Sequence, residues 1–215
     1  MDHRRPWNAL THSRIPFIPL LVIAVLAAAG GASAQQDAFC ICLDPTDPNT
    51  CGGNAVIPVG VPTPIWLCLL EPSGDQVLAW EARVTDDRGA DTISGEWCLN
   101  GGLDVDSVPG NFVVGSCPAP WQPNAAGVIT FASMMVRVLD DGVPVSFFVG
   151  PIPGSISFPQ GVPGYVHTLG FNTPATVCSG DFDEPVFSIN GVVAADVDTW
   201  GAIKSAYSAG PSAGR

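Results

Sequence analysis

Proline and glycine punctuate this chain so densely that long helices have little room to form. There are 24 glycines and 21 prolines in 215 residues. Proline removes a backbone donor and clashes with the preceding helical turn, and glycine carries a backbone-entropy cost, so neither suits a helix interior. Between these breaks the apolar residues recur with a period of two, the spacing of a strand with one buried face. From Val77 to Val84, Leu78, Trp80, Ala82 and Val84 alternate with Ala79, Glu81 and Arg83. Asp86–Gly89 then reads as a turn, with Thr92–Leu99 returning as a hairpin partner. A second hairpin is expected from Val128–Leu139, the turn Asp140–Gly142 and Val143–Val149. Shorter strands are expected at Phe39–Leu43, Ala55–Val59, Ile65–Leu70, Phe112–Val114, Ser155–Phe158, Tyr165–Leu169 and Val186–Ile189. With 47% hydrophobic and 13% charged residues the chain has enough apolar surface to bury a core. Many short strands without strand–helix alternation predict an all-β antiparallel β-sandwich, jelly-roll or immunoglobulin-like, over 35–192.

The first 34 residues read as an address. Arg4, Arg5 and Arg14 precede an apolar stretch from Ile15 to Ala29, and Ala32, Ser33 and Ala34 follow in the small-residue pattern of a cleavage site. That three-part layout is a secretory signal peptide over 1–34, and its apolar run is shorter than the ~20 residues a bilayer span requires. Secretion to the periplasm or the extracellular space is therefore expected, with no stable membrane span after cleavage. Removing 1–34 leaves 5 basic against 19 acidic residues, a net charge of −14. A surface of that sign repels phosphate backbones, so nucleic acid is a poor partner, whereas cationic partners are drawn toward it.

All seven cysteines lie beyond the leader, in a region expected to meet an oxidising compartment. Seven sulfurs allow at most three bonds, and the sequence does not select among the pairings. Two local bonds are nominated: Cys42 (or Cys40) with Cys51, closing a short Pro- and Asp-rich loop, and Cys98 with Cys117, flanking a turn-rich segment. A zinc site lacks its ligand set, because the chain beyond the leader holds one histidine, His167, and the close cysteine pair is C-x-C. Hard oxygen donors at Asp181, Asp183 and Glu184, or at Asp44, Asp47 and Asn49, are candidates for a structural calcium, the one cofactor considered. Neither run has the spacing of a calcium-binding loop, and the second is more simply a turn-rich loop.

Catalytic constellations are few. His167 lies inside an expected strand with no nucleophile elbow nearby, and metalloprotease, Walker and dinucleotide-binding motifs are missing. Nineteen acids leave open a hydrolase built on two carboxylates, without singling out a pair. Trp121, between Pro120 and Gln122–Pro123, is nominated as an exposed aromatic platform for a sugar ring, and reads equally as an aromatic tucked beneath a Pro-rich loop. Near the C-terminus, Asp198–Thr199 are placed to cap a short helix over part of 193–215. Trp200, Ile203 and Tyr207 would share one face of it, so Trp200 and Tyr207 are nominated as contact residues.

Gly60–Leu70 (GVPTPIWLCLL), Val77–Glu81 (VLAWE) and Gly127–Val136 (GVITFASMMV) resemble successive strands of cohesin-like, carbohydrate-binding-module-like sandwiches in secreted bacterial proteins. Ser188–Val193 (SINGVV) and Thr199–Tyr207 (TWGAIKSAY) are similar to the ends of uncharacterised exported proteins carrying such a module. The resemblance implies a jelly-roll-like sandwich of a kind that acts in extracellular attachment. With a strand-rich pattern and no convergent catalytic set, the chain is expected to be an exported non-enzymatic binding or structural module of the cell envelope or extracellular space, engaging a protein or glycan partner. The alternative is a carbohydrate-active hydrolase with paired carboxylates.

Overall fold

The computed structural model describes residues 36–89, 91–168 and 170–191. Those residues form strands β1 (Ala38–Cys42), β2 (Asn54–Ala55), β3 (Pro62–Leu70), β4 (Val77–Asp86), β5 (Ile93–Ser94), β6 (Trp97–Leu99) and β7 (Leu103–Asp104). These are followed by β8 (Asn111–Gly115), β9 (Val128–Val138), β10 (Val145–Gly150), β11 (Gly164–His167), β12 (Asn172–Pro174), β13 (Thr176–Val177) and β14 (Phe187–Ile189). The fold is the all-β sandwich expected. The segments read as a signal peptide and as a C-terminal helix carrying Trp200 and Tyr207 lie outside the described residues.

One sheet has the order β13-β1-β3-β9-β5, with β6 also on β9. The other runs β12-β11-β4-β10-β14-β2, with β8 on the free side of β4 and β7 on β8. The chain passes from one sheet to the other at most of its connections, and this corrects both expected hairpins. Thr92–Leu99 pairs with β9 instead of β4, and β10 pairs with β4 and β14 instead of β9. The turn after β4 is an arch. The backbone N–H of Asp87 donates to Ser146 O at 3.1 Å, its carboxylate accepts from Ser146 N at 2.6 Å, and Arg88 pairs with Asp86 at 3.0 Å. These bonds tie the turn to β10 and leave Thr92 free to cross to the opposite sheet. The sheets are also mixed where antiparallel order was expected. β13 joins β1 in parallel and β2 joins β14 in parallel. Both are two-residue edge strands reached by long connections, which is the condition under which parallel pairing becomes available.

The core follows from alternation. Trp80, Ala82 and Val84 of β4 face inward and meet Phe39, Phe131 and their neighbours. Phe131 stacks on Trp80 with ring centroids 4.8 Å apart, and Phe39 lies against both. In β9 the register against β3 shifts beside Phe131, between the Leu67↔Ala132 and Cys68↔Thr130 pairs. This bulge changes the parity of the strand, so Ile129 and Phe131 before it and Met134, Val136 and Val138 after it are all buried.

Ser155–Phe158, expected as a strand, is a loop, and Ala55–Val59 is strand only at its first residue. Pro153 and Pro159 bracket the former, and a proline cannot donate to a ladder. Phe158 instead lays its ring on the backbone of Gly164, where any Cβ would overlap it. This contact folds the β10–β11 connection back over the outer face of β4 and β11.

Two disulfides form. Cys42–Cys51 closes the short loop as expected, and Cys40 pairs with Cys178 across 138 residues. The expected Cys98–Cys117 bond is absent, and both thiols are exposed and separate. The physical reason is the change of sheet between them. Cys98 points outward from β6 on β9, while Cys117 follows β8, which belongs to β4's sheet.

Cys68 is the third free thiol, fully buried opposite Cys40 in the β1–β3 pair. Burial pushes it up from 9.0 to about 12, against a weaker opposing effect of the Thr130 hydroxyl. Near neutral pH its thiolate fraction is roughly a thousandth of an ordinary cysteine's, so it does not attack the neighbouring disulfide. Between pH 9 and 12 the folded chain retains this proton and the unfolded chain has lost it. Stability therefore falls with rising pH in that window, by about 1.4 kcal/mol per unit for this group. Tyr165 acts in the same direction, raised chiefly by burial and then by Asp37, to which its hydroxyl donates. Two outcomes are expected. Iodoacetamide at pH 8 labels Cys98 and Cys117 but not Cys68, and Cys68→Val flattens most of the alkaline slope in urea unfolding. Labelling of native Cys68 at the rate of the other two would contradict this account.

Candidate functional site

Among the described residues, those singled out from the sequence do not assemble into one site. Trp121 is not an exposed platform. It is 9% exposed, edge-on to Phe131 at 5.5 Å, and its Nε1 donates to Asn100 O at 2.7 Å. Its backbone pairs with Val77, which draws the Pro-rich loop against the sandwich. Asp181, Asp183 and Glu184 are all exposed, and the Asp181 carboxylate accepts from Asp183 N at 3.0 Å. Asp44 and Asp47 are likewise occupied by their own turns, accepting from Thr46 and Asn49. The Thr46 hydroxyl, then its backbone N–H, hold Asp44 below the usual carboxylate value. No group of three His, Cys, Asp or Glu side chains arranged to hold a metal is found among the described residues. His167 is half-buried with its ring 5.6 Å from that of Phe171.

The outer face of the β4 sheet carries the most distinctive chemistry. Inward Trp80, Ala82 and Val84 place Ala79, Glu81, Arg83 and Thr85 on that face. Glu81 sits opposite Val113 of β8 on one side and Gly164 of β11 on the other. With the β10–β11 connection folded over it, Glu81 is only 5% exposed. Its Oε1 is buried and has no hydrogen-bond partner. An unsatisfied buried acceptor costs about 1–3 kcal/mol, and more when charged, so such a group needs a reason to be there.

Glu81 lines a recess of about 440 Å3. Asp106 and Asn111 contribute from the β7–β8 segment, and Ile152, Ser155 and Ile156 from the β10–β11 connection. The second acid is already engaged. Asp106 accepts from Val108 N at 2.7 Å through one carboxylate oxygen and from Asn111 Nδ2 at 3.4 Å through the other. The mouth is apolar and open, with Val108 55% and Ile156 95% exposed. No aromatic and no basic side chain lines the recess.

A second recess, about 480 Å3, adjoins it on the same face between Arg83, Phe148, Asp181 and Asp183. Arg83 is exposed and forms no ion pair among the described residues. Glu81 and Arg83 are alternate residues of one strand, about 7 Å apart by strand geometry. The opposite face of the sandwich has a smaller hollow of about 300 Å3, walled by half-buried Trp66 with Asn100, Thr130 and Ser133.

Sequence reasoning placed Glu81 in its strand and on its polar face but missed its burial. The signal would have been a loop long enough to cover an outward-facing acid, but Ser155–Phe158 reads from its sequence as a strand. No family model matches the chain, and no curated protein and no solved structure matches it either.

Proposed function

We propose that the chain is an exported, non-enzymatic recognition module that engages a partner of the cell envelope or extracellular space through the outer face of the β4 sheet. The observation that carries this reading is the Glu81 recess, where a buried acceptor without a partner lies beneath an exposed apolar mouth. A group held unsatisfied in the free protein is available to a ligand, and solvent-facing Val108 and Ile156 offer apolar area to whatever brings it. Two disulfides support an oxidising destination, as does the leader read from the sequence. No helix among the described residues is long and apolar enough to cross a membrane. The cohesin-like resemblance agrees with a binding role.

The hydrolase reading has one point in its favour, two carboxylates lining one recess. Asp106, however, is tied up by its own loop, and the recess has no aromatic wall to hold a sugar ring in place. The test is a screen of the protein lacking 1–34 on protein, peptide and glycan arrays, with Val108→Lys and with Met135→Lys on the opposite face as control. Val108→Lys is expected to weaken the bound class about tenfold and Met135→Lys to leave it unchanged. Turnover of ester, peptide or glycoside substrates, or loss of binding with Met135→Lys alone, would overturn the reading.

A further inference from the structure

We infer that the Glu81 recess receives a basic side chain, lysine or arginine, projecting from a partner protein. The inference rests on the recognition reading above and specifies its ligand. Four observations converge. The orphan acceptor is a carboxylate oxygen, and the acceptor-only carboxylate of an ionised acid is best satisfied by a charged donor. The recess holds two acids and no base, so a cation is favoured and an anion repelled. Glu81 lies deep while Val113 and Ile152 form apolar walls, so the charge must arrive at the end of an aliphatic stem. Lysine and arginine have that form, a polar head on methylenes that pack on apolar surface. Finally, no aromatic side chain lines the recess, which removes the stacking surface a sugar would use.

A partner protein is preferred over a free amine because the mouth extends beyond the recess. Ile156 at 95% and Val108 at 55% exposure remain uncovered when only the head and stem are bound, and a flanking peptide covers them. The net charge of −14 beyond the leader steers basic surfaces toward the chain at low ionic strength.

The probes are acetyl-Gly-Lys-Gly-amide, its arginine and norleucine counterparts, butylammonium and maltose, titrated into the isotopically labelled protein lacking 1–34 and followed by amide chemical shifts. The lysine or arginine peptide is expected to shift the Glu81, Val113 and Ile156 resonances and to weaken in high salt. The norleucine peptide, identical in stem but without charge, is expected to bind at least about tenfold more weakly. Butylammonium is expected to bind more weakly than the peptide. Glu81→Gln is expected to abolish the charge preference. Ile156→Lys, at a position too exposed to affect folding, is expected to weaken the basic peptides about tenfold. Equal binding of lysine and norleucine peptides, or an unchanged affinity in both variants, would overturn the inference. So would butylammonium binding as tightly as the peptide, or maltose shifting these resonances when the peptides do not. If the basic peptides fail while the arrays still return a ligand lost in Val108→Lys, the ligand chemistry is wrong and the recognition face stands. If the arrays return nothing, both fall.

Discussion

Replacing Cys40 and Cys178 together by alanine is expected to lower the unfolding free energy by about 5 kcal/mol, the chain-entropy value for a loop of 138 residues. For a domain of this size that is about 10–20 °C in midpoint. The same arithmetic for the 9-residue separation of Cys42–Cys51 gives only about 2.5 kcal/mol, so the two double variants should differ about twofold. The structure makes the long bond more consequential still. It pins a parallel edge in which β1 and β13 share only the Ala38↔Thr176 and Phe39↔Val177 pairs, with Cys178 N donating to Phe39 O at 2.9 Å. Gly52 passes beside both sulfurs with φ +77°, and a Cβ there would stand 3.3 Å from the Cys178 sulfur. The short loop and the long bond are thus packed as one unit. Urea unfolding of the two double variants under identical conditions checks the ranking. A larger loss from the Cys42–Cys51 pair would refute it.

The elements were legible where burial has a period and illegible where topology decides. β4 was readable because Trp80, Ala82 and Val84 alternate with Glu81 and Arg83, and β9 because it is long and rich in β-branched and large apolar residues. Their partners were not, since Asp86–Gly89 and Asp140–Gly142 are turn sequences whether the chain returns beside its own strand or crosses to the facing sheet. What sets the arch apart, the paired bonds of Asp87 to Ser146, spans 59 positions and leaves no local trace. Cysteine pairing failed for a related reason. Cys42–Cys51 is a local loop that spacing suggests, whereas Cys40–Cys178 depends on β13 joining β1 in parallel. The site was half visible. Alternation put Glu81 on the face away from the core, and outward acids are ordinarily solvated. Its burial comes from a distant connection whose Phe158 requires the bare backbone of Gly164, a fit that no pattern of apolar spacing encodes.

Trp121→Ala is expected to lower stability by about 3–4 kcal/mol, within the range for truncating a large buried aromatic, and to leave ligand binding at the Glu81 recess unchanged well below the unfolding midpoint. A sugar platform would behave in the opposite way, losing binding at little cost in stability. The distinction follows from what the ring touches. It meets Phe131 edge-on at an interplanar angle of 89°, and Phe131 is itself stacked on Trp80, so the cavity left by alanine opens onto the central aromatic cluster. Gly102, at φ +85°, passes so close beneath the indole that a Cβ would lie 2.8 Å from the ring, which indicates close packing on that side too. The indole N–H is the hydrogen-bond partner of Asn100 O, adjoining β6. Trp121→Phe therefore keeps most of the packing and loses that bond, for an expected cost of about 1–2 kcal/mol. Graded losses in the order alanine then phenylalanine, measured by urea unfolding with peptide affinity constant, would establish Trp121 as the clamp that fastens the loop after β8 to the sandwich. A loss of affinity in Trp121→Phe at unchanged stability would return it to the binding surface.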